Sequence, residues 1–494
     1  MSRNRIILVT AGIMFSLFLA SMESTVVSTA MPTIVGQLGG LDHYSWVFSA
    51  YMLASTTVVP VYGKLSDLYG RRLLYVVAMG FFLAGSVLAG QAQSMTGLIF
   101  ARALQGLGAG GVQPLAFIII GEMFTLEQRA RMQGFFSGVW GVSSIIGPIL
   151  GGFLVEQLSW RWVFYINLIP GPIALALVTL AWRDVIHTHG KISVDYLGAA
   201  LLSASVISLL LGLMEVGTPA SWVMLGLAFA LFLLLLRVES RAADPILPLS
   251  LFRDRLFAVA SSHGLLTGWA MFGSLSFIPL FVQSVLGTTA MQAGLTVTPM
   301  LLGWVTASVI GTRLLLVIGF RKLGFIGTAL LLVGTALLAT VGAETNYVNI
   351  MVYVSVMGVG MGLSIPSFLI SVQTSVERRE LGTATSTIQF SRSMGGTLGV
   401  SVMGAALSMR LASNLAASGL DPSLVARLLD PLGPQAVAEA GVRLALADAI
   451  HLVFVIAFAA AILGMISVFF TPRVALKDRA PSLPEEEALP VIME

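Results

Sequence analysis

The 494-residue sequence is 56% hydrophobic and only 10% charged, against about 25% charged in a soluble domain. That excludes an ordinary soluble fold and defines an all-α polytopic membrane protein. A net charge of +3 gives no electrostatic footprint for nucleic acid, and the absence of cysteine excludes disulfides and thiolate metal sites.

Unbroken apolar runs without the alternation of a β-barrel are helices. Fourteen spans are predicted, at roughly 6–33, 44–63, 73–92, 97–120, 133–155, 163–182, 195–214, 222–238, 256–283, 292–313, 322–342, 347–372, 383–409 and 447–470. The first follows Arg3 and Arg5 with no cleavage site at signal-peptide distance, so it reads as a retained helix. Within it lies Glu23, alone among the 24 acidic residues in sitting deep in an apolar span. A carboxylate there costs about 3 kcal/mol or more, so it faces a partner or a cavity. A helix-packing or pore-lining carboxyl is the alternative to a coupling role.

Between spans 2 and 3 runs Gly63-Lys-Leu-Ser-Asp67-Leu-Tyr-Gly70-Arg71-Arg72. Its glycines permit a tight turn and close helix approach. Asp67 can cap helix 3 or face a positive helix N-terminus, and the arginines can reach nearby acids. Span 4 carries Arg102-Ala-Leu-Gln105-Gly106. Counted along the helices, Glu23 stands about 25 Å and Arg102 about 22 Å above the inner edge, level to within a turn. Span 5 contains Gly147-Pro148-Ile-Leu-Gly151-Gly152, small residues for close packing beside a proline that bends the helix. Trp160 to Asn167 follows, read as an aromatic belt.

The second half repeats the first. Gly106, Gly108, Gly110 and Pro114 recur as Gly358, Gly360, Gly362 and Pro366, and Gly134, Gly147 and Gly151 as Gly382, Gly395 and Gly399. Pro32 and Gln37 echo in Pro279 and Gln283, and Gly70-Arg-Arg-Leu in Gly319-Phe-Arg-Lys-Leu. All these pairs are separated by 246 to 252 positions. The expected fold is therefore two parallel six-helix repeats plus two inserted helices. The division is 1–183, an inserted pair at 184–240, then 241–475 with a surface linker and a long outer loop at 411–446, and a cytoplasmic tail at 476–494. Short amphipathic helices are expected at 423–429 and 435–447 in that loop. With the N-terminus inside, 20 of the 27 basic residues fall in inner segments, which places both termini in the cytoplasm.

These strings resemble a known family. The 63–72 loop is similar to the signature loop of the major facilitator superfamily, with Leu68 in place of its usual basic residue; the resemblance implies a latch between halves. Arg102 to Gly106 resembles the family's second motif, and Gly147 to Gly152 its antiporter motif. Met22-Glu23-Ser-Thr25-Val26-Val27 through Pro32 resembles the first-helix motif of the fourteen-helix drug:proton antiporter branch, with Glu for Asp and Ser28 for Asn. Gln389-Phe-Ser-Arg392-Ser-Met-Gly395-Gly396 resembles that branch too. Arg392 is expected in the inner half, snorkelling or touching the Asp67 loop, with packing an equal alternative.

The resemblance implies a proton-coupled exporter of amphipathic or lipophilic compounds working by alternating access, with Glu23 carrying the proton and Arg102 tuning it. An exporter of one specific metabolite or lipid, and a passive facilitator or channel, are the alternatives. Gln105, His263, Trp269, Gln283 and Arg392 are candidate cavity or gate residues, with plain packing the competing role. No phosphate loop or nucleophile–base constellation is visible, so neither ATP coupling nor an enzyme is expected. His187 and His189 lack acids at ligand spacing, so no metal is expected, and no cofactor. Expected partners are a small-molecule substrate, protons and the lipid bilayer of a bacterial inner membrane; a monomer is expected.

Overall fold

A chain that cannot offer its backbone to water closes its hydrogen bonds within helices, and all regular structure among the described residues is helical. The computed structural model describes residues 3–38, 44–182, 195–214, 218–242, 245, 247, 249–288, 290–377, 380–418 and 440–472. The first group of helices is α1 (Arg3–Leu38), α2 (Tyr44–Tyr69), α3 (Arg71–Gly90), α4 (Met95–Met123), α5 (Leu126–Gln157), α6 (Trp162–Tyr165) and α7 (Pro170–Ala181). Next come α8 (Tyr196–Met214) and α9 (Pro219–Glu239). The last group is α10 (Arg255–Ser284), α11 (Ala290–Leu295), α12 (Thr298–Ile318), α13 (Phe320–Leu338), α14 (Tyr347–Ser375), α15 (Leu381–Ser418) and α16 (Ala440–Phe469). Twelve segments among the described residues are long and apolar enough to cross a membrane. Helix α2 matches them in length but carries more polar residues, such as Ser49, Thr56 and Thr57.

Helix starts are encoded locally. Ser94 accepts from Gly97 N at 3.1 Å ahead of α4, Asp254 from Leu256 N at 2.7 Å ahead of α10, and Asn346 from Val348 N at 2.9 Å ahead of α14. Each satisfies an amide that the helix leaves open.

The glycine strings explain the packing. Gly106 and Gly110 lie against the backbone of α2, at Tyr51 and Ser55, while Gly108 lies against Phe82 of α3. A Cβ at any of the three would overlap backbone, so α4 wedges between α2 and α3. Gly358, Gly360 and Gly362 seat α14 between α12 and α13 in the same way, against Met300, Leu331 and Trp304. Helix α1 packs on α5 and α7, and α10 on α15 and α16. The two groups meet where α2 packs on α15 and α5 on α12. Helices α8 and α9 pair with each other, and α8 lies on α2 and α15 through a cluster including Leu202, Val206 and Met394.

Four expectations are corrected. The long outer loop shortens, because α15 runs on to Ser418 and α16 begins at Ala440. Arg410 and Asn414 of that extension both donate to Asp448 Oδ2, at 2.8 and 2.9 Å, which ties the helix ends together. The expected amphipathic helix at 423–429 lies outside the described residues, as does the tail from 473. Span 6 is broken into α6, a 3₁₀ turn at Ile166–Leu168, and α7, which restarts with Pro170 in its first turn. Span 10 starts later, at Thr298 after the short α11. Trp160 is fully buried, donating from Nε1 to Gln37 Oε1 at 2.9 Å, so the aromatic belt keeps only the exposed Trp162 of its two tryptophans.

Because Gly108 abuts backbone that cannot yield, Gly108→Leu is expected to cost about 3 kcal/mol or more. Gly152 has open space beyond its Cα, so Gly152→Ala is expected to stay within about 0.5 kcal/mol of the native protein. Thermal unfolding of the two purified variants checks the contrast.

Candidate functional site

Glu23 of α1 and Arg102 of α4 are each 1% exposed and form an ion pair, with Arg102 Nη1 donating to Glu23 Oε1 at 2.6 Å. The same nitrogen donates to Gln105 Oε1 at 2.5 Å, and Arg102 Nε donates to the Val47 carbonyl at 3.2 Å. The second carboxylate oxygen accepts from Asn167 Nδ2 at 2.8 Å. Ser86 Oγ, on α3, accepts from Gln105 Nε2 at 2.9 Å and from Asn167 Nδ2 at 3.2 Å. Tyr51 lies under the guanidinium, its ring centre 4.2 Å from Cζ. Such a network is stable in an apolar interior because nearly every charge and dipole finds a partner.

The helix wedge places Arg102, one turn before Gly106, and Gln105 beside it. The break after α6 swings Asn167 onto Glu23. Sequence reading paired Glu23 with Arg102 by depth but missed Asn167, Ser86 and Tyr51. A lone amide inside an apolar span that is interrupted at Pro170 was the available signal.

Asp67 sits at the other polar junction. Its oxygens accept from Gly382 N at 3.1 Å, Thr383 N at 2.8 Å and Thr383 Oγ1 at 2.9 Å, all at the start of α15. A carboxylate at a helix N-terminus is favoured by the open amides and the helix dipole. Asp67 therefore caps α15 and not α3, whose first turn follows Gly70 at φ 91° without a side-chain cap. Arg71 Nη2 donates to Asp67 Oδ1 at 2.6 Å, and Arg71 Nε lies 3.2 Å from Glu122 Oε2 of α4. Arg72 points to the surface. Gly63 lies against Ser386, with no room for a Cβ. Nearby, Arg129 Nη1 donates to the Gln373 carbonyl at 3.2 Å and Gln373 Nε2 to the Phe117 carbonyl at 3.3 Å. The two groups of helices are thus joined at this end.

In α5, Gly147 and Gly151 are buried and Gly152 is half-buried; the Pro148 ring lies outside the described side chains. The close approach of α5 to α12 is made instead by Gly134 against Val309 and Gly141 against Val305. Of the candidate cavity residues, His263 is a core residue, its Nε2 3.0 Å from Thr328 Oγ1 and its ring centre 4.5 Å from that of Phe368. Trp269 packs on Gly399. The side chain of Gln283 lies outside the described residues. Arg392 neither snorkels nor meets the Asp67 loop: it lines a central cavity of about 80 Å³. A wider cavity of about 880 Å³ lies between α1, α5 and α12, lined mostly by apolar residues such as Phe18, Val139 and Val309, and by Arg313.

A polytopic helical bundle that keeps a buried acid–base pair and a central cavity has the makings of a membrane transporter. Residues 13–400 match the Major Facilitator Superfamily, and the chain belongs to that family. It is 41% identical over 428 residues to the multidrug transporter protein MdtP of Bacillus subtilis (strain 168), covering 85% of this chain and 78% of that protein. It is 35% identical over 493 residues to multidrug resistance protein 3 of the same organism, covering 96% of each. In fold it is similar to the human organic anion transporter MFSD10, with a TM-score of 0.63 at 14% identity, over 93% of this chain and 100% of that one. It is equally similar to the proton:xylose symporter XylE, with a TM-score of 0.63 at 14% identity, over 96% and 97%.

Removing one member of the buried pair leaves the other charge stranded. Glu23→Leu is expected to lower stability by about 3–5 kcal/mol. The double variant Glu23→Leu with Arg102→Met is expected to recover at least half of that loss, as melting of the purified proteins will report. A double variant no more stable than the single one would show that the two charges are not energetically coupled.

Proposed function

We propose that this transporter is a proton-coupled exporter of amphipathic or lipophilic compounds, a drug:proton antiporter of the fourteen-helix branch, in a bacterial inner membrane. In this reading α1 to α7 and α10 to α16 are two six-span repeats about an axis along the membrane normal. The matched wedges of α4 and α14, and the matched pairings of α1 with α5 and α10 with α15, support it. Helices α8 and α9 are then the inserted pair, and the bundle end carrying Asp67 faces the cytoplasm with both termini.

The observation that carries the proposal is the Glu23–Arg102 pair at 2.6 Å, buried on both sides. Protonation of Glu23 removes the charge that Arg102 pairs with, leaving the guanidinium with only the neutral acceptors Gln105 Oε1 and Val47 O. The packing of α1 on α4 therefore differs in energy between the two protonation states. A protein with two openings answers that difference by shifting its population. The proton is taken up from the outside and released inside, and substrate leaves in exchange. Asp67 on the α15 N-terminus is the inner latch that holds the halves together while the outer side exchanges. The names of the relatives support a multidrug range, and the apolar walls of the larger cavity suit lipophilic compounds.

Vesicles with an imposed pH gradient as the sole energy source test the proposal. The native protein is expected to export compounds uphill, and Glu23→Gln to lose uphill export while folding. Glu23→Asp should retain part of it. Uphill export by Glu23→Gln would reject Glu23 as the proton site, and downhill movement alone by the native protein would make it a facilitator. Asp67→Asn weakens a charged cap worth about 1 kcal/mol; cross-linking between the ends of α2 and α15 is expected to fall. Unchanged cross-linking would reduce the loop to a topological signal.

A further inference from the structure

Arg392 lies on α15, eleven residues after its start, about 16 Å along the helix and so well inside the bundle. It lines the central cavity with Gln113 of α4, Trp140 of α5, Phe272 of α10, Trp304 of α12 and Pro366 of α14. Its position is fixed, because Gly268 of α10 lies directly against the Arg392 carbonyl and a Cβ there would overlap it. Arg71, Arg102 and Arg410 are ion-paired, and Arg443 donates twice to the Val285 carbonyl. Arg392 differs: among the described residues it has no hydrogen bond and no ion pair. Glu23 does not serve it, since both Glu23 oxygens are taken by Arg102 and Asn167. One turn earlier on the same helix, Gln389 Nε2 is a buried donor with no acceptor. The cavity wall thus offers the Arg392 guanidinium with no acidic residue lining it to answer the charge.

We propose that Arg392 receives the anionic group of the transported compound, and that the protein takes aromatic carboxylates among its substrates. This rests on the exporter reading above and narrows it. A guanidinium presents paired N–H donors that match a carboxylate, and an unpaired cation away from bulk water gains most from such a partner. Trp140, Phe272 and Trp304 supply flat apolar walls for the ring. A volume of about 80 Å³ has room for several waters, and so for a carboxylate and its first atoms; the ring enters as the halves separate. A cation on the same body meets like charge. Export of an anion also carries negative charge outward, down an inside-negative potential.

Three probes with one ring system test this: naphthylacetate, naphthylacetamide and naphthylethylammonium, bound to the purified full-length protein in nanodiscs. Naphthylacetate is expected to bind about ten-fold or more tighter than the other two. Arg392→Gln is expected to bring naphthylacetate to within about two-fold of the amide, and Arg392→Lys, which keeps the charge but not the fork, to fall between. Equal affinity of the native protein for all three, or an acetate preference that survives Arg392→Gln, overturns the proposal. If Arg392→Gln does not fold, the native series and Arg392→Lys decide. Export of the three probes by native protein in pH-gradient vesicles separates the two readings. Proton-driven export with no acetate preference removes the anion site and leaves the exporter. Arg392-dependent binding of naphthylacetate without proton-driven export of any probe leaves the site and removes the exporter.

Discussion

A carboxylate and a guanidinium, each 1% exposed, sit 2.6 Å apart inside a bundle built from apolar helices. Neither charge is tolerable there alone, so the surrounding structure has to deliver both to one place and satisfy what remains. It does so with little freedom. Glycines at 106, 108 and 110 press α4 onto α2 and α3, which sets Arg102, Gln105 and Ser86 side by side. The interruption of span 6 at Ile166–Leu168 lets Asn167 reach the other carboxylate oxygen. Tyr51 closes the face of the guanidinium.

One helix links this network to the latch. Arg102 stands near the start of α4, and Glu122 at its end meets Arg71, which also holds Asp67. The two are twenty residues apart, about 30 Å along a helix. In the proposed mechanism, a shift of α4 on breaking the Glu23–Arg102 pair passes to Arg71 and through it to the cap on α15. That gives the proposed coupling a route along one helix. The unpaired Arg392 lines the central cavity from the other group of helices, so the proposed substrate site and the proposed proton site stand on different groups.

Much of this was legible in the sequence because membrane proteins ration charge. Glu23 and Arg102 stand out in apolar runs, and counting residues along two antiparallel helices put them level. The Asp67 loop was legible as a string, but not its partner: which helix N-terminus receives the carboxylate depends on tertiary placement, and α3 was as near in sequence as α15 was in space. Asn167 was hidden among aromatic residues that made an interfacial belt a sufficient account. Arg392 was legible as a cavity candidate, but its distance from the helix start also allowed snorkelling, and it is the packing of α10 on α15 that holds it at the cavity. In sequence His263 is open between cavity and packing, and its partner Thr328 settles it in the core.

The proposed coupling requires Glu23 to change protonation when substrate binds. The most direct measurement is proton release from the purified protein on addition of a transported compound, followed with a pH indicator in weakly buffered solution. The native protein is predicted to release protons in proportion to bound compound, and Glu23→Gln to bind the compound without releasing any. The same release from both proteins would contradict the assignment of the coupled proton to Glu23.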